Sequence, residues 1–462
     1  MKKAKIVATL GPSSIDKIED MIKAGVDVFR LNFSHADHKT HKASIKKIRE
    51  AAKKLNSKTA ILQDISGPKI RIGEINGILE LKRGDKIRLV KKNPKSAYDL
   101  TISYPEIIDH VNEGEYVFFA DGSIRTKVIE KTPDYLVLEV KNDGVLSSRK
   151  GVNFPHSNLK ISAITPKDEK DLAFGAKNEV DIVAISFVNR KEDILKAKEI
   201  LKNAHPKHMP WVIAKIETKQ AVENLDEILE AADGVMVARG DLGIEVGIEK
   251  VPVIQKKIIR RANKLKKPVI TATQMLLSMV NSPFPTRAEV SDVANAVMDG
   301  TDAVMLSDET TVGKYPIKAV EVLVKIIQEI QSIYPYYKKY EIEDKDAIAA
   351  SVADLCKGIE PKAIISFTSS GTTVKSIAKY RPKSPIFAVT HSRDTSRKLK
   401  VVWGVEEIFE MPKIKDPEKL IHKFIEIAKK LNILKEKDKV IITMGSIVGK
   451  EGTTNMIRVV EV

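Results

Sequence analysis

Apolar residues in the first 64 positions of the chain fall into two alternating patterns. A continuous apolar run at 5–10 stops at Gly11-Pro12 and a helical spacing covers 15–24; runs at 26–32 and 59–64 then flank a second helical stretch at 38–55. Short runs bounded by turn residues read as buried strands, and the longer 3.6-residue patterns as amphipathic helices. The same rhythm resumes after Pro166, predicting strands at 181–187, 211–217, 234–238, 268–273 and 302–307. Helices are predicted at 167–177, 191–203, 220–231, 255–267, 286–298 and 316–333. Roughly eight strands, each followed by a helix, predict an α/β fold closed into a (β/α)8 TIM barrel. A doubly wound open sheet is the alternative, and the regular alternation and length favour closure.

Two stretches break the rhythm. Between about 69 and 159 the period drops to two, as in Lys86-Ile87-Arg88-Leu89-Val90, with turn pairs at Asn93-Pro94, Asp121-Gly122 and Asp143-Gly144. This predicts antiparallel strands, hence a β domain inserted at 69–159 into a barrel made of 1–68 and 160–335. Beyond a tyrosine-rich linker at 333–340, strands at 363–367, 386–390, 405–409, 440–444 and 456–462 alternate with helical segments. They predict a C-terminal α/β domain at 336–462. The linker tyrosines are expected to pack at a domain joint rather than to stack on bases.

Composition narrows the function classes. The 462 residues are 43% hydrophobic and 30% charged, with a formal net charge of +16 and one cysteine, Cys356. No apolar run approaches the roughly 18 residues of a membrane span. Met1-Lys2-Lys3 leads into a stretch too short for a signal peptide. A cytoplasmic protein with no membrane partner is expected. A lone cysteine excludes an internal disulfide framework, and a buried, inert thiol is the expected reading. The positive charge fits nucleic acid or small substrates carrying several phosphates. The densest basic segment, 255–267, keeps Ile258, Ile259, Ala262 and Leu265 at helical spacing and lacks aromatic interleaving. It therefore reads as a helix with a solvated basic face, and nucleic acid is not the expected partner.

The chemistry collects at strand ends. Trp211-Val-Ile-Ala-Lys-Ile-Glu217 ends an apolar run in a lysine and, two residues on along the same strand face, a carboxylate. A plain ion pair is one reading; a lysine beside a metal-holding carboxylate is the other. Arg30, Asn32, Asp64, Arg239, Asp241, Thr273 and Ser307 occupy the same position in other units, and in a barrel all of these ends face one mouth. Glu217 and Asp241 are hard oxygen donors suited to Mg²⁺. Lys215 and the two arginines could neutralise a phosphoryl group in transfer. Gly240 lets backbone amides at a helix start approach an anion. The inventory favours phosphoryl transfer involving an anionic small molecule.

Seven segments in order resemble the pyruvate kinases: Ile6-Val-Ala-Thr-Leu-Gly-Pro-Ser-Ser14, Arg30-Leu-Asn-Phe-Ser-His35, Val212-Ile-Ala-Lys-Ile-Glu217, Met236-Val-Ala-Arg-Gly-Asp-Leu-Gly-Ile-Glu245, Ala272-Thr-Gln-Met275, Pro285-Thr-Arg-Ala-Glu-Val-Ser-Asp-Val-Ala-Asn-Ala296 and Met305-Leu-Ser307. The resemblance covers the whole chain. It implies transfer of the phosphoryl group of phosphoenolpyruvate to ADP, giving ATP and pyruvate in the last step of glycolysis, with Mg²⁺ or Mn²⁺ and as a homotetramer. By resemblance, Lys215 lies on the transferring phosphoryl, Glu217 and Asp241 hold the divalent metal, and Arg30 bridges both substrates' phosphates. Thr273 and the amides of Gly240 and Asp241 take the substrate carboxylate. Ser307 and Thr273 lie where the proton relay to the enolate carbon is placed.

Asn32, Ser34, His35, Arg71 and Lys150 match nucleotide-side positions, so the resemblance implies that the inserted domain is a β-barrel-like lid that closes over the mouth of the catalytic barrel and excludes water. Asn32, Ser34, Asp64 and the carbonyl of Ile65 match a monovalent-cation site. The glutamate that accompanies K⁺ in many members is Lys69 here, which implies that the Lys69 ammonium, paired with Asp64, replaces K⁺. Two further departures are Asp308 in Ser307-Asp-Glu-Thr310 and Phe284 before Pro285. The turn Thr368-Ser369-Ser370-Gly371-Thr372-Thr373 precedes a helical pattern and is a candidate anion site, used in the family for a phosphorylated effector. The competing reading is a Mg²⁺-dependent barrel lyase acting on pyruvate or phosphoenolpyruvate, which leaves Arg71, Lys150 and the lid unexplained.

Overall fold

The structure, a computed structural model, describes residues 2–462 apart from 158, 160, 342 and 447–451. Eight strands form the barrel: β1 (Lys5–Thr9), β2 (Val28–Asn32), β3 (Ala60–Asp64), β4 (Ile182–Ile185), β5 (Trp211–Ile216), β6 (Gly234–Ala238), β7 (Val269–Ala272) and β8 (Ala303–Leu306). They close in the order β1-β8-β7-β6-β5-β4-β3-β2, each pair parallel. The strands are apolar on both faces because one face meets the ring of helices and the other fills the barrel interior. Val28, Leu62, Ile182, Ile213, Met236 and Ile270 pack inside, while Phe29, Ile61, Val183, Val212 and Val235 meet the helices.

The period of two places the mouth. The next inward position after Val28 is Arg30, after Leu62 it is Asp64, and after Ile213 it is Lys215. The apolar fill thus gives way to a charged layer at the C-terminal ends of adjacent strands.

Local chemistry sets the helix boundaries, and two departures from the sequence pattern lie near the mouth. The predicted helix at 220–231 is two helices, Lys219–Glu223 and Leu225–Ala231, with Asn224 between them. The Asn224 side chain donates to Asn189 O at 2.8 Å, which ties the break to the loop after β4. The helix start expected at Gly240 belongs to a short helix, Arg239–Val246, whose extent the pattern does not show and which follows β6 without a connecting turn. Its two glycines, Gly240 and Gly243, and its brevity hide the helical period.

The lid forms between β3 and the helix Pro166–Lys177. It comprises a six-stranded sheet and a two-stranded ribbon, Ile78–Leu81 with Gly144–Ser147. Alternate residues Ile87, Leu89, Leu136 and Leu138 fill its core.

The C-terminal unit is a five-stranded sheet in the order 405–410, 386–390, 363–367, 439–445, 454–461, with the last strand antiparallel. Its joint to the barrel is aromatic: Tyr334 packs on Tyr336 and Trp403 with ring centroids 5.1 and 5.8 Å apart. Beside them Arg381, fully buried, donates to Asn263 Oδ1 and Gly300 O at 2.7 Å and pairs with Asp302 at 3.1 Å. Cys356 is buried, and burial pushes its thiol up to about 12. Among the described residues no helix is long and apolar enough to cross a membrane.

Candidate active site

A chain of alternating charges runs across β2, β3 and β5. Arg30 Nε donates to Asp64 Oδ2 at 2.7 Å, Lys215 Nζ lies 3.3 Å from Asp64 Oδ1, and the same ammonium lies 2.9 Å from Glu217 Oε1. Lys215 also donates to Ser186 Oγ at 2.8 Å, and Arg30 Nη1 to Thr9 Oγ1 at 3.1 Å. The side chains of Arg30 and Lys215 are each 12% exposed, enough to meet a ligand and too little to be solvated freely. Burial opposes the Lys215 charge, yet Asp64 and Glu217 together outweigh it and hold the ammonium well above the ordinary lysine range. Burial likewise favours the neutral form of Asp64, but Lys215 and Arg30 keep its carboxyl below the usual value. The mouth is therefore an array of charges held in mutual contact.

Glu217 and Asp241 suit a divalent cation. Glu217 Oε2 accepts the Phe187 N–H at 2.8 Å, a donor made available by the positive φ of 53° at Phe187. Burial, reinforced by Asp241, raises the Glu217 carboxyl against the pull of Lys215. Two carboxylates whose charges oppose one another in a buried mouth are the donor set that a hard cation relieves. Among the described residues no group of three or more His, Cys, Asp or Glu is placed to hold a metal. A pair of carboxylates completed by ligand oxygens and water fits Mg²⁺ better than an all-protein cage.

Thr273 lies just past β7 in a conformation that β-branched residues rarely adopt, with φ 77°, followed by Gln274 at φ 55°. Such a backbone costs on the order of 1–3 kcal/mol and persists only where its surroundings enforce it. Arg239 supplies the enforcement: it donates to Ala272 O at 3.1 Å and Thr273 O at 2.7 Å, and pairs with Asp292 at 2.7 Å. This corrects the expectation that Arg239 aims its charge at a transferring group. It stands one residue past the inward-facing Ala238, so its guanidinium turns outward and buttresses the Thr273 loop. Gly240 completes the fit, since a Cβ there would lie 3.0 Å from Thr273 Cγ2.

Ser307 follows β8. Its N–H donates to Glu309 Oε2 at 2.8 Å, while Glu309 Oε1 accepts the Leu276 N–H at 2.9 Å. One buried carboxylate thus ties the loops after β7 and β8 together, and burial raises its carboxyl. Asp308 is exposed, and so is Phe284 at 69%.

On the opposite rim, Asn32 Oδ1 accepts the Ser34 N–H at 3.1 Å, and Ser34 and His35 are exposed. Ile65 O accepts from Ser186 Oγ at 2.7 Å. At the base of the lid, Arg71 bridges to Gly151, its guanidinium donates to Arg149 O at 2.9 Å, and Lys150 is exposed. Lys69 is exposed with its Cε close to Gly151, and Asp64 is taken by Arg30 and Lys215. The expected pairing of Lys69 with Asp64 is therefore not made, because two cations of the barrel already satisfy that carboxylate.

Between lid and barrel lies a cavity of about 350 Å³ bounded by Lys69, Gly151, Asn153, Phe187, Asp241 and Glu245. The sequence reading passed over Thr9, Ser186, Glu245 and Glu309. Thr9 and Ser186 were legible as the next inward positions after Val7 and Ala184. Glu245 and Glu309 depend on loop and helix placement that no periodicity encodes. In the C-terminal unit, the 368–373 turn borders a second cavity of about 320 Å³, with Thr390, His391 and Lys413 on its walls. Gly371 caps the helix Thr372–Lys379 at φ 85°, and its N–H is taken by Thr368 Oγ1 at 2.9 Å.

Comparison with known proteins agrees with this geometry. The family described as "Pyruvate kinase, barrel domain" matches residues 1–320, and "Pyruvate kinase, alpha/beta domain" matches residues 346–460. A pyruvate kinase of Geobacillus stearothermophilus is 44% identical over 99% of this chain and 80% of its own length. Pyruvate kinase 2 of Synechocystis sp. is 44% identical over 99% of this chain and 79% of its own. The crystal structure of a pyruvate kinase from Cryptosporidium parvum superposes with a TM-score of 0.93 at 35% identity, covering 100% of this chain and 96% of that one. On the barrel, the charged mouth and these full-length similarities together, the chain belongs to the pyruvate kinase family.

Proposed function

We propose that the barrel mouth transfers the phosphoryl group of phosphoenolpyruvate to ADP, with the roles distributed as its geometry suggests. The observation that carries this assignment is Lys215, an ammonium fixed between Asp64 and Glu217 and held firmly protonated. A permanent charge pre-positioned at the mouth stabilises a phosphoryl group in flight without reorganising, which is the condition for lowering a barrier rather than merely binding. The Arg30 guanidinium, tethered to Asp64 and Thr9, neutralises phosphate charge beside it. Thr273, with the amides of Gly240 and Asp241 at the start of the helix Arg239–Val246, accepts the substrate carboxylate. Thr273 and Ser307 then line the side from which the enolate carbon takes its proton.

Members of this family work with a divalent metal. Here Glu217 and Asp241 would hold Mg²⁺ or Mn²⁺, which would supply positive charge to phosphate oxygens. Asn32, Ser34, His35, Arg71 and Lys150 form the nucleotide side, the last two arriving with the lid. K⁺ is not required, because the unit charge it would bring is supplied by Lys69, which stands where many members have a glutamate. Lys69, at the edge of the cleft, carries a compensating charge as the lid closes. The 368–373 turn and its cavity take a phosphorylated effector, and the enzyme works in the cytoplasm as a homotetramer.

A coupled assay of pyruvate formation tests the reading. Turnover is expected only with phosphoenolpyruvate, ADP and Mg²⁺ together. Pyruvate released at an equal rate without ADP would instead indicate a lyase or phosphatase.

A further inference from the structure

The lid touches the barrel through the helix that carries Asp241. Asn153, at the end of the short lid strand Val152–Asn153, donates from Nδ2 to Glu245 Oε1 at 3.3 Å. The turn at Gly122 approaches the neighbouring residue, so that a Cβ added there would lie 3.6 Å from Ile244 Cγ2. Glu245 stands one helical turn beyond Asp241, and both face the cleft of about 350 Å³ that Asn153 also lines. Burial raises the Glu245 carboxyl, with Asp241 adding to the effect. A carboxyl in such surroundings is retained at a cost unless it has a partner. The partner available to it is Asn153 of the lid, since Glu245 makes no ion pair among the described residues.

We propose that Glu245 is a positioning residue that seats the lid. By accepting from Asn153 it fixes the lid's height over the mouth, and it does so from the helix that presents Asp241. Lid position is thereby referred to the helix that presents the metal-side carboxylate. The link is short: Arg239 clamps one end of this helix to the Thr273 loop, and Ile244 and Glu245 hold the lid at the other. A lid that sits correctly is thus registered at both the metal side and the substrate-carboxylate side of the mouth.

Spin labels at Lys92→Cys on the lid and Lys202→Cys on the barrel report the seating, since the native Cys356 is buried. Asn153→Ala and Glu245→Ala should each broaden the distance distribution and raise the KM for ADP about fivefold, the effect of losing one partly buried hydrogen bond. Turnover at saturating ADP should change by less than about twofold, because the charged array itself is untouched. The double variant should be no worse than either single one, and Glu245→Gln, which keeps the accepting oxygen, should behave as the parent. If Glu245→Ala does not fold, Asn153→Ala alone decides. Unbroadened distances in Asn153→Ala, or fully additive effects in the double variant, would overturn the proposal.

The kinetic arm rests on the reading of Lys150 as a nucleotide ligand, and Lys150→Met separates the two ideas. If it leaves the KM for ADP unaltered while Asn153→Ala still broadens the distances, the nucleotide reading fails and the seat stands.

Discussion

Replacing Lys215 by methionine keeps the length and apolar stem of the side chain and removes one charge from the centre of the mouth. With contacts of 2.9 Å to Glu217 and 3.3 Å to Asp64, the gross attraction lost is about 5–6 kcal/mol for each at an effective dielectric of 20. Most of that is offset in the folded protein by the desolvation of all three groups. Asp64 keeps Arg30, whereas among the described residues Glu217 keeps only the Phe187 N–H. Because burial already raises the Glu217 carboxyl, this group can take up a proton, which limits the cost to the fold and lowers its value as a metal ligand. The transition state has no such escape, since the charge on the moving phosphoryl must be met by a fixed donor. Loss of one donor of this kind typically costs about 10²–10³ in turnover. Pyruvate formation at saturating substrates should therefore fall at least about a hundredfold, while calorimetry still detects phosphoenolpyruvate binding. A fall of less than about tenfold would refute the assignment of Lys215 to the transferring phosphoryl.

Gly240→Ala should lower kcat/KM for phosphoenolpyruvate about tenfold at unchanged or slightly raised thermal stability. Its Cβ would press Thr273 Cγ2 at 3.0 Å, while alanine suits the helix better; an unaltered KM would count against a carboxylate site there. Lys375, whose ammonium lies 4.7 Å from the Trp211 ring, is lowered to about 8, chiefly by burial. The unfolded chain holds this proton up to its ordinary value of 10.5, so Lys375 makes stability rise with pH from about 8 to 10.5, by roughly 3 kcal/mol at most. Lys375→Met should then have the higher thermal midpoint at pH 7 and lose that advantage through this window; parallel profiles for the two proteins would contradict it. Turnover in tetramethylammonium buffer should be unaffected by added K⁺, with K⁺ dependence emerging in Lys69→Glu; strong activation of the parent by K⁺ would end that proposal. Gly371→Trp puts a bulky side chain at φ 85° beside Leu399 and should abolish any thermal shift induced by sugar phosphates, and a retained shift would move the effector site elsewhere.

Strand ends and helix faces differ in how much a linear pattern can reveal. Arg30, Asp64 and Lys215 were legible because inward and outward positions in a barrel strand alternate with a period of two. A polar residue two places beyond a buried apolar one must stand at the mouth. The same rule reaches Thr9 and Ser186, which were passed over because a hydroxyl at a strand end raises no energetic alarm, whereas a lysine does. Arg239 shows where the rule stops. One residue past the strand, the backbone has already turned into a helix, and a guanidinium credited with the reaction instead braces Thr273 against its own strained backbone.

The expected pairing of Lys69 with Asp64 fails for a different reason. Charge arithmetic says that a carboxylate wants a cation but not which one, and Arg30 and Lys215 arrive on neighbouring strands with no loop to order. Glu245 and Asn153 lie 92 positions apart, and their meeting depends on a lid that folds as its own unit and is then set down on a helix whose period was invisible. The charged groups Arg30, Asp64 and Lys215 are thus carried by the regular part of the fold, where periodicity speaks. Arg239, Glu245 and Glu309, which brace the loops and the lid, lie past the strand ends, where only the assembled structure can.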